Sequence, residues 1–326
     1  MTVHLPAPLI IGTRGSPLAL AQARQVAFAL APFIEGTTPG VAAADGGTVI
    51  PAGITIETIK TTGDSIQDRP LSEIGGKGLF TKELDVAMLD GRTRLAVHSA
   101  KDLPNELPPG LVIAGYLERE DVRDAFISPH AASVDELPAG AVVGTASLRR
   151  QAQLLRRRPD LSTVLLRGNV GTRLQRIAEG KVDATLLAMA GLRRLGLADK
   201  ATAVLSTQTM LPAVGQGAIA IVVRADDGPM RDAVLAIAHP ETGVALAVER
   251  AFLRLVDGSC RMPIAGLATV DAGRVHFRGL ILSPDGKEAV EVERRGTPLE
   301  ANYIGEDAGR EVVATASPAL TAHRLA

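Results

Sequence analysis

The chain has 326 residues, a formal net charge of -1 and 46% apolar residues. That length exceeds one small core and points to two or three domains. The near-neutral charge and 2% aromatic content argue against a nucleic-acid binder built on basic surface and base stacking.

Met1 to Pro6 lacks the basic and apolar regions of a signal peptide, and no apolar stretch reaches the roughly 20 residues of a membrane span. One cysteine rules out an intramolecular disulfide and a Cys-rich metal site, so no metal is expected. A soluble protein of a reducing compartment, the cytoplasm, is the expectation. Leu9-Ile10-Ile11 reads as a strand, and Ser16-Pro17 as the cap and first residue of a helix running to about Phe33. Residues 36 to 53, rich in Gly, Ala and Thr, read as an exposed loop. A strand over Ile54 to Ile59, a helix over Leu79 to Leu89 and a buried strand Leu95-Ala96-Val97, ending at His98, follow.

A second unit begins near Asp121, with strands near Ala141 to Val143, Thr163 to Leu166 and Ala184 to Leu187 and helices between them. Gly191 to Gly196 carries a basic patch, the chain turns around Leu211 to Gly215, and Ala218 to Val223 is again strand-like. From Pro240 the pattern changes: a helix over Val244 to Val256, strands near Gly266 to Val270, Val275 to Leu282 and Ala289 to Val292, and a helix near Asn302 to Thr315. The whole reads as α/β with a small C-terminal α+β domain.

Between Ala141 and Ala178 stand eight arginines and one acid, Asp160. Arg149 and Arg150 fall in the first turn of a helix opened by Ser147, where the dipole disfavours cations. Arg173 follows Gly168-Asn169 at another helix start, and Arg14 precedes the Ser16 cap. A local rule broken repeatedly marks a site, and helix N-termini with arginines form a receptor for carboxylate or phosphate. Arg156, Arg157 and Arg158, at a helix C-terminus, read as solvated charges.

Ser99, Lys101 and Asp102 end a buried strand, where ligands bind in open α/β sheets. In a cationic site Asp102 stays ionised and can stabilise positive charge developing on a substrate, although a surface Lys–Asp pair explains the same residues. Gly75-Gly76-Lys77-Gly78 fails the phosphate-loop spacing and reads either as an anion-binding lid or as a plain turn. Cys260, in the polar loop Asp257-Gly258-Ser259-Cys260-Arg261, is either a nucleophile or anchor favoured by Arg261, or a small buried hydrophobe.

Taken in order, Ile11 to Leu20, Thr62-Gly63-Asp64, Gly75 to Phe80, Val97 to Asp102, Ser147 to Gln151, Leu166 to Leu174, Leu211 to Gly217 and Gly258-Ser259-Cys260 resemble the porphobilinogen deaminase family over nearly the whole chain. The resemblance implies two periplasmic-binding-protein-like (type II) α/β domains and a small C-terminal α+β domain. The first comprises 1–120 and 215–237, the second is inserted at 121–214, and the third, 238–326, carries the cofactor cysteine. It implies a dipyrromethane bound to Cys260 through a thioether. On this primer four porphobilinogens are joined, with loss of ammonia, into hydroxymethylbilane. Asp102 then matches the catalytic carboxylate, stabilising the cation left when ammonia departs. Lys101, Ser99, Thr145, Ser147, Arg149, Arg150, Arg167, Arg173 and Gln216 match cofactor contacts; Arg14, Ser16 and Arg194, with Arg149 and Arg173, match substrate contacts; Lys77 and Phe80 lie on a mobile loop. Porphobilinogen is the implied partner, without nucleic acid or membrane, acting on a monomer. Ala146 stands where the family usually has a second Ser, and Ala100 where Met is common.

A non-catalytic anion-binding protein of the same fold and a nucleotide-binding enzyme are the rival readings. The Asp102–Cys260 combination weighs against the first and the failed phosphate-loop match against the second.

Overall fold

The computed structural model describes residues 4–37, 50–65, 78–256, 262–317 and 320. These fall into two compact units, one of 4–65, 78–119 and 218–243 and one of 120–217 and 244–320. In chain order the first segment holds β1 (Leu9–Thr13), α1 (Pro17–Leu30), β2 (Ile54–Thr58), α2 (Thr62–Ser65), α3 (Lys82–Leu89), β3 (Leu95–Ser99) and β4 (Leu111–Tyr116). The second holds β5 (Asp124–Ile127), β6 (Val142–Gly144), α4 (Leu148–Arg157), β7 (Ser162–Val164), α5 (Val170–Ala178), β8 (Ala184–Ala188), α6 (Met189–Arg194) and β9 (Ala203–Val204). The third holds β10 (Ile219–Arg224), α7 (Gly228–Ile237), α8 (Pro240–Val256), β11 (Ile264–Asp271), β12 (Arg274–Leu282), β13 (Ala289–Gly296) and α9 (Ala301–Thr315).

In the first unit the sheet order is β2-β1-β3-β10-β4. β1, β2 and β3 run parallel, and β10 lies antiparallel to both β3 and β4. Residues Ile219 to Val223 of β10 are buried on both faces, as a central strand demands. α1 supplies Ala23, Val26, Ala27 and Leu30 to a core with Leu9, Ile11, Val97 and Ile221. Ser16 Oγ caps that helix by accepting from Ala19 N at 3.3 Å, and Pro17 occupies its first turn. The helix stops at Leu30 and a 3₁₀ turn, Ala31–Phe33, completes the run expected to reach Phe33.

The second unit repeats the order, β7-β6-β8-β5-β9, with β6, β7 and β8 parallel and β5 antiparallel to its neighbours. Each of these sheets is a periplasmic-binding-protein-like type II α/β sheet: three parallel strands with the second outermost, then a crossing antiparallel strand. The same unit also holds the antiparallel meander β11-β12-β13, covered by α8 and α9. Phe252 of α8 packs on Phe277 of β12 with ring centroids 5.1 Å apart. α9 approaches α8 at Gly305, where a Cβ would meet Val248 O at 2.1 Å, so only glycine fits.

Helix α8 begins at Pro240 rather than Val244. His239 Nδ1 accepts from Thr242 N at 3.2 Å, and Pro240 suits a first helical position, so the proline opens the helix instead of stopping it. α3 begins at Lys82, three residues later than expected, because residues 78–80 form a turn. Most of the 36–53 loop, residues 38–49, lies outside the described residues.

Candidate functional site

The first group of site residues gathers at the carboxyl ends of β1 and β3. The 3₁₀ turn Ala100–Asp102 follows β3 directly, which places half-buried Asp102 past the strand end and leaves Lys101 exposed. Arg14 follows β1, and its Nη1 lies 3.8 Å from Asp102 Oδ2. Asp64 of α2 grips the same guanidinium: Arg14 Nε donates to both Asp64 oxygens at 3.2 Å, and Arg14 Nη2 pairs with Oδ1. The Phe80 ring covers the guanidinium at 4.2 Å from its centroid. Ser99 Oγ exchanges hydrogen bonds with the Gln22 amide of α1, at 2.9 and 3.1 Å. A cavity of about 50 Å³ is lined by Arg14, Ser16, Phe80, His98, Ser99 and Asp102 among others.

Electrostatics in this group follow from burial and pairing. Burial alone would raise the Asp64 carboxyl, but hydrogen bonds from Arg14 and Thr61, together with the Arg14 charge, outweigh that and hold it below the usual range. Arg14 is thereby largely neutralised by Asp64, which leaves the charge of Asp102 less compensated than its 3.8 Å neighbour implies. His98 is buried, and burial first, with the Arg14 charge second, lowers it from 6.5 to about 4. It is therefore neutral at physiological pH.

The second group lies in the other unit, at the ends of β6 and β8. α4 is capped by Ser147, whose Oγ accepts from Arg150 N at 3.4 Å, while buried Thr145 accepts from Ser147 N at 3.1 Å. Arg149 and Arg150 do occupy the first turn of this helix. Both are 5% exposed, and both bind one carboxylate, that of Asp124, at 2.8 Å. The violation of the dipole rule is answered only in part inside the protein: one buried acid stands at the helix N-terminus and offsets one of the two cations. Burial alone would raise the Asp124 carboxyl, but the two guanidinia hold it far below the usual range. Gln216 Nε2 also donates to Asp124, at 2.9 Å. Arg149 Nη1 and Arg150 Nη1 donate to the carbonyls of Leu211 and Leu186.

Three further arginines of the group are less enclosed. Half-buried Arg173 lies in α5, capped by Asn169, and its Nε donates to Gly168 O at 2.9 Å; Arg167 is half-buried beside it in sequence. Arg194 ends α6 and donates to Gly217 O at 2.8 Å, with burial lowering its pKa. Arg158, expected as a solvated charge, instead donates to the carbonyls of Val134, Asp135 and Leu137 and pairs with Asp160. Cys260, its neighbour Arg261, and Lys77 lie outside the described residues.

Sequence reasoning missed Asp124, Gln22 and His98, and it gave Asp64 no role. An acid heading the otherwise apolar run Ala125-Phe126-Ile127 was the available signal for Asp124. Among the described residues no group of three or more His, Cys, Asp and Glu side chains forms a metal site, and no helix is long and apolar enough to cross a membrane.

Both α/β units thus carry polar side chains at their strand ends: Arg14, Ser99 and half-buried Asp102 in one, and Thr145, Ser147 and the arginines of α4 and α5 in the other. The family described as "Porphobilinogen deaminase, dipyromethane cofactor binding domain" matches residues 9–232, and "Porphobilinogen deaminase, C-terminal domain" matches 244–314. The porphobilinogen deaminase of Nitrobacter winogradskyi is 57% identical over 302 residues, covering 93% of this chain and 92% of the relative. The chloroplastic porphobilinogen deaminase of Oryza sativa subsp. japonica is 51% identical over 312 residues, covering 94% and 84%. Among solved structures the methionine binding protein MetQ aligns with a TM-score of 0.42 and 15% identity over 70% of this chain and 89% of that one. The chain belongs to the porphobilinogen deaminase family.

Proposed function

We propose that Asp102 is the catalytic carboxylate of a porphobilinogen deaminase whose dipyrromethane is joined through a thioether to Cys260. A member of this family is a transferase of tetrapyrrole biosynthesis: it links four porphobilinogens head to tail with loss of one ammonia each, and water then releases the chain from the primer as hydroxymethylbilane. The dipyrromethane, when bound, supplies the pyrrole primer to which these units are added.

The donor set suits such a group. Each pyrrole unit carries an acetate and a propionate, so the primer presents four carboxylates. Thr145, Ser147 and the arginines 149, 150, 167 and 173 offer hydroxyl and forked N–H donors, and buried Arg149 Nε has no partner among the described residues. Ser99, Lys101 and Gln216 join these as cofactor contacts, and Arg14, Ser16 and Arg194 serve the incoming substrate. The Phe80 ring packs over the Arg14 guanidinium, and the assignment of Lys77 and Phe80 to a mobile loop is part of this reading.

The observation that carries the reading is Asp102 at the end of β3, half-buried and beside an Arg14 already claimed by Asp64. As ammonia leaves, positive charge develops on the substrate pyrrole. A fixed carboxylate in a partly enclosed site stabilises that charge more than the neutral ground state, which lowers the barrier. Asp102→Asn keeps the shape and removes the charge. Compared at equal cofactor content, it should slow single-turnover ammonia release by about 2 kcal/mol or more in the barrier, whereas Asp102→Glu retains part of the activity. Ammonia release by Asp102→Asn at the wild-type rate would reject the electrostatic role.

The same reading keeps the three-domain division 1–120 with 215–237, 121–214 and 238–326, a monomeric enzyme, and action in the cytoplasm.

A further inference from the structure

The buried carboxylate of Asp124 heads β5. It is 0% exposed and accepts from Arg149 Nη2 at 2.8 Å, from Arg150 Nη2 at 2.8 Å and Nε at 3.3 Å, and from Gln216 Nε2 at 2.9 Å. Three site residues from two chain segments, α4 and the turn before β10, thus converge on one acid that the family reading leaves without a role.

A purely structural network would be expected to close on itself. This one does not. One carboxylate faces two guanidinia, and Asp124 is the only acid paired with either of them among the described residues. The trio carries a net positive charge, taken out of water at a helix N-terminus whose dipole has the same sign. In addition, Arg149 Nε is buried with no hydrogen-bond partner among the described residues. A buried surplus of charge together with an unused donor is unfavourable for the protein alone and is relieved by an anion.

We infer that Asp124 is a positioning residue: it clamps Arg149, Arg150 and Gln216 in one arrangement and leaves Arg149 Nε and one net positive charge for a carboxylate of the bound dipyrrole. Asp124 itself touches no ligand. Its clamp removes rotamer freedom from two long side chains before the ligand arrives, so less ordering is needed on binding. The inference rests on the reading of Arg149 and Arg150 as cofactor contacts.

The test uses full-length, cofactor-free protein, reconstituted with porphobilinogen, in four forms: wild type, Asp124→Asn, Asp124→Glu and Arg149→Gln. Folded fraction is read by circular dichroism and cofactor content by intact mass. In the wild type the Arg149 Nε–H resonance is followed by ¹⁵N NMR before and after loading. Asp124→Asn should load the cofactor about ten-fold or more less per folded molecule. Asp124→Glu, which keeps the charge, should recover most of the loading, and the Arg149 Nε–H resonance should shift when the wild type loads. Wild-type loading by folded Asp124→Asn, with Arg149→Gln defective, would leave Asp124 purely structural and overturn the inference alone. Wild-type loading by Arg149→Gln would overturn the reading of the arginines beneath it. If Asp124→Asn does not fold, the wild-type resonance decides, and an Nε–H that does not move on loading rejects the inference.

Discussion

His98 offers a quantitative test of the electrostatics under the site. Its imidazole lies on β3, 5% exposed, and its Nε2 has no hydrogen-bond partner among the described residues. Burial, with the nearby Arg14 charge adding to it, takes the pKa from 6.5 to about 4. Between these values the unfolded chain binds a proton that the folded protein refuses. Stability is therefore complete above pH 6.5 and is lost as the pH falls through the window toward 4. The cost is about 2 kcal/mol at about pH 5 and about 3 kcal/mol once both states are titrated. Asp85 acts in the opposite sense: burial raises its carboxyl to about 6, so it loses stability as the pH rises through that range. Its contribution is common to wild type and variant and cancels in their difference. His98→Gln keeps a polar side chain but cannot take up the proton. Urea unfolding of the cofactor-free proteins at about pH 7.5 and about pH 5 should show the variant gaining about 2 kcal/mol relative to wild type on acidification. Equal acid sensitivity of the two proteins would refute the burial argument for His98.

Two further predictions follow from packing around the arginines. A Cβ at Gly63 would lie 2.3 Å from Phe80 Cε1 and 2.9 Å from Leu79 O. Gly63→Ala should thus cost about 1–3 kcal/mol in thermal unfolding and displace the ring from Arg14. An unchanged melting temperature with unchanged substrate KM would contradict that contact. Arg149→Leu and Arg173→Leu should both weaken cofactor loading but separate in stability. Arg149→Leu removes buried bonds to Asp124 and Leu211 O and should cost about 2 kcal/mol, while half-buried Arg173 should cost little. Equal melting temperatures in urea or heat for the two variants would reject the distinction.

The parts of the fold legible in the sequence were those with strong local signals. Ser16-Pro17 marked the start of α1, and the strand at Leu95 to Val97 was fixed by its apolar run. β4 and β5 were not read, because their residues, such as Gly115 and Asp124, break the apolar pattern that a single sequence offers. Helix α7 was missed too, although Asp227 caps it by accepting from Met230 N at 3.1 Å, since Gly228-Pro229 looks like a turn. Arginines at helix starts singled out the first turn of α4, but charge pattern alone did not show what these side chains meet. Whether Arg149 and Arg150 meet solvent, a ligand or a buried acid depends on β5, about 25 residues earlier in the chain, and no local pattern encodes that meeting. Arg158 failed for the same reason: its partners Val134, Asp135 and Leu137 are carbonyls brought close only by the fold.

The central claim is that this chain works on a pyrrole primer held by its single cysteine. Intact-mass spectrometry of the purified wild type and of Cys260→Ser tests it most directly. The account predicts a wild type heavier than its polypeptide by two linked pyrrole units and a Cys260→Ser protein at the bare chain mass without turnover. A fully active wild type at the bare chain mass would contradict it.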